Sequence, residues 1–177
     1  QVIRETLVRL PGRIYDSYSR CNRSNRETEK GRYQDSSTTG YTTAMMDIVL
    51  PGAAAHGYTT DNCVTSNNLP AGRPQPYMIY QNMIDLAIPS VQSVIKYGDT
   101  IADIKEGVNA DVWTVGVILG SNEMGLTQEE TGKLPAEELN RRMAAVRKRM
   151  YMAGAHYVVN TIAELPEIIE IINHKMN

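Results

Sequence analysis

Apolar and polar positions follow no regular period up to about Ser36 and become ordered after it. From there, apolar runs of strand length alternate with segments whose apolar residues recur at helical spacing. Thr43–Ala55 is predicted to be a helix interrupted at Pro51-Gly52, since proline lacks the N–H that a helix interior uses. Asn62–Thr65 is a short strand candidate, and Pro76–Leu86 a helix with Met78, Ile79, Met83 and Leu86 on one side. Ser93–Tyr97 is predicted as a strand that stops at Gly98-Asp99, followed by a short helix over Ile101–Asn109. Val112–Leu119 is the clearest strand, β-branched and closed by Gly120-Ser121. Pro135–Ala153 spaces Leu139, Met143, Val146 and Met150 for one buried helical face. His156–Val159 is a last strand, and Ile162–Lys175 a closing helix.

This alternation predicts an α/β fold: βαβ units, a mostly parallel sheet flanked by helices, and right-handed crossovers. Residues 1–36 stand apart. Arg is dense, both periodicities are weak, and the stretch reads as an irregular N-terminal segment ahead of a core over 37–177. No internal repeat is visible.

Composition narrows the picture further. At 177 residues the chain is long enough for one domain with its own core. A net charge of −2 gives no electrostatic footprint for nucleic acid or an anionic membrane. No apolar run approaches the roughly 18 residues of a membrane span, and no signal peptide is visible, so a cytoplasmic protein is expected. Cys21 and Cys63 are too few for a disulfide scaffold and make no metal knuckle. The chain starts at Gln1, so a fragment or processed chain is expected. Ten Tyr and no Phe carry no functional reading.

In open parallel sheets, ligands bind beyond the carboxyl ends of the strands, which directs attention to three clusters. In Ser37-Thr38-Thr39-Gly40-Tyr41-Thr42, small hydroxyls and a glycine at a helix start can present donors to a phosphate, although the same residues cap ordinary helices. In Gly72-Arg73-Pro74-Gln75-Pro76, a guanidinium fixed before a helix can fork onto a phosphoryl group, although turns often carry a surface arginine. In Gly98-Asp99-Thr100-Ile101-Ala102-Asp103, Asp99 ends a strand and Asp103 follows one helical turn later. Two carboxylates so spaced can face one pocket and suit Mg2+, which takes one or two carboxylates and keeps its waters. The competing role is capping by Asp99. The joint placement of the three clusters after strands of one inferred sheet favours function. His56, His156 and His174 have no ligand partner at useful spacing and are read as structural. Cys63 is read as an inert core thiol and the Met residues as packing.

In order, these clusters resemble the haloacid dehalogenase superfamily and, within it, the phosphonoacetaldehyde hydrolase family. The matching stretches are STTGYT at Ser37–Thr42, AGRPQPYM at Ala71–Met78 and GDTIADIKEG at Gly98–Gly107, then WTVGVILGSNEMGLT at Trp113–Thr127 and AGAHYVV at Ala153–Val159. The last two are the most specific. The resemblance implies a partial Rossmann-like core. It makes Thr39 the hydroxyl that binds phosphoryl oxygens, with Gly40 and Tyr41 beside it, and Arg73 the cation that stabilises the transferring phosphoryl. Asp99 would bind Mg2+ and Asp103 would support the metal shell. It also implies a small-molecule phosphonate substrate and a homodimer. The implied reaction cleaves the P–C bond of phosphonoacetaldehyde to acetaldehyde and phosphate, using a cap-domain Lys that forms a Schiff base and a core Asp that attacks phosphorus.

The chain departs from that pattern in its N-terminal part. The family's nucleophile lies in a DxAGT motif, which does not occur in these 177 residues, and no part of residues 1–36 matches the cap that carries the Lys. Asp111 replaces a usual glycine, and Tyr97 a smaller residue. Back-translation of Arg26–Asp35 shifted by one nucleotide permits a family-like helix, so residues 1–35 are expected to be an out-of-frame remnant of the cap end and the returning core. The chain alone is then expected to be inactive. The alternatives are a related phosphatase or phosphomutase acting on a phosphate ester, or a non-catalytic truncated domain.

Overall fold

The computed structural model describes residues 2–5, 33–55 and 59–176. Six strands form one sheet: β1 (Val2–Glu5), β2 (Tyr33–Thr39), β3 (Asn62–Thr65), β4 (Val94–Gly98), β5 (Trp113–Val117) and β6 (Tyr157–Val159). Their order is β3-β2-β1-β4-β5-β6, and every pairing is parallel. The helices are α1 (Thr43–Ala55), α2 (Tyr77–Asp85), α3 (Ile101–Asn109), α4 (Gln128–Lys133), α5 (Ala136–Met152) and α6 (Leu165–Met176). The predicted α/β class therefore holds, with the strands flanked by helices.

Alternation along the strands assigns the two faces of the sheet. Ile95 and Tyr97 of β4, Val115 of β5 and Val159 of β6 pack with Ile162, Leu165, Ile169 and Ile172. The last three lie at i, i+4 and i+7 on α6, so one stripe of that helix is buried. Each is at most 1% exposed and contributes about 1.5–3 kcal/mol through burial. Glu167 in the first turn and His174 and Lys175 in the last complement the dipole of the same helix. Opposite, Ile104 of α3 and Val146 and Met150 of α5 pack with Ile118, Met124 and Val158. A further group joins Ile79 and Met83 of α2 to Val94, Ala110 and Val112. All five residues of β4 are buried, as expected of a strand covered on both sides.

Several elements differ from expectation. Val2–Glu5 forms the strand between β2 and β4, and β2 begins at Tyr33, so parts of the segment expected to be irregular are paired in the sheet. The proposed frame shift within residues 1–35 otherwise falls largely outside the described residues. Helix α1 runs through Pro51 without interruption. Pro51 and the preceding-turn residue Asp47 are both exposed, so water can satisfy the carbonyl that loses its N–H partner. Helix α4 was not predicted. It is one short turn set by a capping box, in which Thr127 Oγ1 accepts from Glu130 N at 3.2 Å and Glu130 Oε2 from Thr127 N at 2.7 Å. The closing segment splits into a 3-10 turn over Ile162–Glu164 and α6. Among the described residues, no helix is long and apolar enough to cross a membrane.

Candidate functional site

The carboxyl ends of β2 and β4 bring the three sequence clusters close to one another. Strands β2 and β4 flank β1, whose Glu5 is paired in register with Ser36 on one side and Lys96 on the other. Strand β2 delivers four consecutive small hydroxyl residues, Ser36 to Thr39, each at most 2% exposed. The chain then turns at Gly40, and Thr39 Oγ1 accepts the Tyr41 N–H at 3.1 Å. That bond uses an acceptor site of the hydroxyl and leaves its proton available to an oxygen ligand.

Arg73 reaches the same place from the loop after β3. A Cβ added at Gly40 would stand 3.6 Å from Arg73 Nη2, so the guanidinium lies directly beside the β2 turn. The loop is tied to α3 by Asn109 Nδ2, which donates to Pro74 O at 2.8 Å. Arg73 Nη1 bonds Asp103 Oδ1, with the Arg side chain 15% exposed and the Asp fully buried.

Asp103 is therefore the acceptor for Arg73. Its other oxygen closes the N-terminus of α3: Oδ2 accepts from Thr100 Oγ1 at 2.6 Å and from Thr100 N at 3.2 Å. In return Asp103 N donates to Thr100 Oγ1 at 3.1 Å. Both carboxylate oxygens are thus engaged within the protein. Asp99 and Asp103, expected to face one pocket, have different protein partners. Asp99 lies just beyond β4, where its Oδ2 accepts the Asn122 N–H at 2.9 Å from the loop after β5.

Hard oxygen chemistry at Asp99 suits Mg2+. Among the described residues no group of three His, Cys, Asp or Glu stands together as a metal cage. Among the described residues, the donor that suits such an ion is the Asp99 carboxylate, both oxygens of Asp103 being engaged within the protein.

Beneath this surface is a charge cluster that sequence reasoning missed. Lys96, fully buried on β4, donates from Nζ to Thr38 Oγ1 at 2.6 Å and pairs with Glu106 Oε2 at 2.9 Å. Thr38 Oγ1 donates in turn to Glu106 Oε2 at 3.0 Å. Lys96 Nζ also lies 3.7 Å from Asp103 Oδ1, the oxygen that Arg73 bonds. Among the described residues, two cations, Arg73 and Lys96, face two carboxylates, Asp103 and Glu106, and such pairing offsets the desolvation of buried charges, which costs several kcal/mol each. Glycines make room for the cluster. A Cβ at Gly98 would stand 2.3 Å from Asp103 Cβ, and one at Gly107 would stand 2.6 Å from Thr114 Oγ1 and 3.0 Å from Lys96 Cβ.

The remaining candidates take structural positions. His156 Nδ1 accepts the Thr114 N–H at 3.1 Å, and its ring meets Trp113 edge-on at 5.2 Å. Desolvation holds its imidazole below the usual value, with Asp111 acting against that shift and Lys175 with it. Burial pushes the Cys63 thiol up, partly offset by the Ser37 hydroxyl, in keeping with an inert thiol. His56 and Cys21 lie outside the described residues.

A parallel sheet with a hydroxyl-Gly turn, a loop arginine and a strand-end aspartate at one edge defines a haloacid dehalogenase-type core. The fold agrees with that of a haloacid dehalogenase-superfamily hydrolase from Geobacter sulfurreducens, with a TM-score of 0.53 over 82% of this chain and 53% of the other at 18% identity. A crystal structure of a phosphonoacetaldehyde hydrolase-like protein from Oleispira antarctica matches more strongly, with a TM-score of 0.77 and 34% identity over 81% of this chain and 52% of the other. Phosphonoacetaldehyde hydrolase from Parabacteroides distasonis is 66% identical over 139 residues, covering 78% of this chain and 53% of the relative. No family model matches the chain. Over that stretch the chain belongs to the phosphonoacetaldehyde hydrolase family, and it spans about half the length of the curated relatives it matches.

Proposed function

We propose that this chain carries the phosphate-binding half of a phosphonoacetaldehyde hydrolase. The parent enzyme would convert phosphonoacetaldehyde and water to acetaldehyde and phosphate. The observation that carries the proposal is the guanidinium of Arg73 held beside Gly40, the residue after Thr39, in a chain 66% identical over 139 residues to such a hydrolase. Arg73 would bind phosphoryl oxygens as a fork, and the Thr39 hydroxyl would donate to one of them. Asp99 would hold Mg2+, which when bound offsets phosphoryl charge. Asp103 would orient Arg73. Phosphoryl transfer relies chiefly on such positioning and charge stabilisation.

Turnover would need two further groups that the resemblance places elsewhere: a nucleophilic Asp in a DxAGT run and a Schiff-base Lys in a cap. Neither motif occurs in these 177 residues, so the chain alone would bind phosphate without cleaving the substrate. Calorimetric titration of the purified chain with inorganic phosphate tests the binding. Affinity should fall in Arg73→Ala and Thr39→Ala, and the gain from added Mg2+ should vanish in Asp99→Ala. Acetaldehyde release, coupled to a dehydrogenase, should stay at the level of a Thr39→Ala, Asp99→Ala control. Turnover above that control would mean that a residue of this chain, or of a second copy, supplies the nucleophile.

A further inference from the structure

We propose that Lys96 is a positioning residue that keeps Arg73 available to a phosphoryl group by sharing the charge of Asp103. The inference rests on the role given to Arg73 above.

Arg73 Nη1 and Lys96 Nζ converge on a single oxygen, Asp103 Oδ1. A guanidinium paired one-to-one with a buried carboxylate has its charge largely compensated. A second cation on that carboxylate loosens its hold on the first, and the other arms of the guanidinium are left to an incoming anion. Lys96 is itself balanced by Glu106 at 2.9 Å, so its charge is tolerated at zero exposure. The same ammonium grips Thr38 Oγ1 at 2.6 Å, and Thr38 immediately precedes Thr39 on β2. Strand alternation puts Thr38 and Thr39 on opposite faces, so fixing Thr38 from below fixes which way Thr39 points. One buried side chain therefore governs both proposed phosphate-binding elements: the partner of Arg73 and the strand end of Thr39. Lys96 touches no solvent and needs no contact with substrate to do this.

The geometry separates an electrostatic role from a packing role. Removing the ammonium alone makes the cluster one charge more negative and leaves Asp103 to Arg73 without the second cation. Removing the ammonium and the Glu106 charge together returns the cluster to its original net charge. The experiment is calorimetric titration of the full chain with inorganic phosphate, well below each variant's Tm. Lys96→Met should weaken phosphate binding about tenfold, and Lys96→Met with Glu106→Gln should recover most of that loss. Glu106→Gln alone leaves Lys96 in place, adds one positive charge to the cluster and should tighten binding several-fold. It decides the matter if Lys96→Met does not fold. Unchanged affinity in both single variants, or in Glu106→Gln where only that one folds, overturns the role of Lys96 while leaving Arg73 in place. Absence of any Arg73-dependent phosphate binding in the unaltered chain overturns the reading of the site, and this inference with it.

Discussion

Replacing Gly98 by Ala should be among the most damaging single-methyl changes in the described core. The added Cβ would stand 2.3 Å from Asp103 Cβ, 2.7 Å from its Cγ and 3.0 Å from its Oδ2. Carbon atoms in contact settle at about 3.5–4.0 Å, so more than about 1 Å of movement is needed. Asp103 Cβ is anchored to the first turn of α3 and cannot swing away as the end of a long side chain would. Either the helix start retreats or Asp103 rotates, and both break the capping box with Thr100 and the bond to Arg73. Overpacking costs about 1–3 kcal/mol and loss of an N-cap about 1 kcal/mol. Fully breaking a buried pair costs about 3–5 kcal/mol, of which only part applies because the carboxylate is displaced and not deleted. The expected cost is therefore about 3–5 kcal/mol, a large share of the roughly 5–15 kcal/mol of a typical domain.

Urea unfolding followed by circular dichroism measures that cost, and a double-mutant cycle identifies its origin. Asp103→Gly removes the atom that collides, and in that background Gly98→Ala should cost less than about 1 kcal/mol. Equal cost in both backgrounds, or a cost below about 1 kcal/mol in the unaltered chain, would refute the steric argument.

Gly107→Ala should lose about 1–3 kcal/mol in the same assay, because its methyl meets Thr114 Oγ1 at 2.6 Å and Lys96 Cβ and Cγ at 3.0 Å. Thr127→Ala should cost about 1 kcal/mol and raise hydrogen exchange locally in Gln128–Lys133, since Glu130 N loses its acceptor. His156 gives a pH dependence. Its folded-state value lies below the usual 6.5, so the unfolded chain takes up the proton first. Stability should be full above the unfolded value of 6.5 and fall as pH drops from there toward the lower folded-state value. The slope should be shallow because the side chain is exposed, and urea titrations of His156→Gln from pH 7.5 to about 5 should lack that component.

The pattern of the chain was enough for the fold where an element carried its own signal. Strand β5 is a β-branched run closed by Gly120-Ser121, and α6 repeats Leu165, Ile169 and Ile172 at helical spacing. Strand β1 has no such signal. Four residues, Val-Ile-Arg-Glu, are too short to show alternation, and their extended form is recorded in the pairing with β2 and β4 on either side. Helix α4 was legible in principle, as Thr127-x-x-Glu130 is a capping-box signature, but its six residues bury no apolar side chain. Pro51 was overread, because a proline rule written for helix interiors is weaker where the orphaned carbonyl faces water.

At the site, the rule that ligands sit beyond strand ends directed attention to Thr39, Arg73 and Asp99, while spacing alone did not show that both oxygens of Asp103 are engaged within the protein. Separation of Asp99 and Asp103 by one turn puts both near the start of α3, yet the intervening Thr100 decides the matter. Thr-x-x-Asp is itself a reciprocal cap, so the aspartate turns back onto Thr100 and offers its other oxygen to Arg73. The stronger overlooked signal was Lys96. In Val94-Ile95-Lys96-Tyr97, alternation sets the lysine on the face of Val94, and a strand covered on both sides exposes neither face. A lysine there must be paired, because its unpaired burial would cost several kcal/mol. Two of its partners stand 10 residues on, at Glu106, and 58 residues back, at Thr38, distances that no local period encodes. The sequence can therefore announce that a buried cation exists, while only the sheet order shows that it stands between the hydroxyl strand and the carboxylate that holds Arg73.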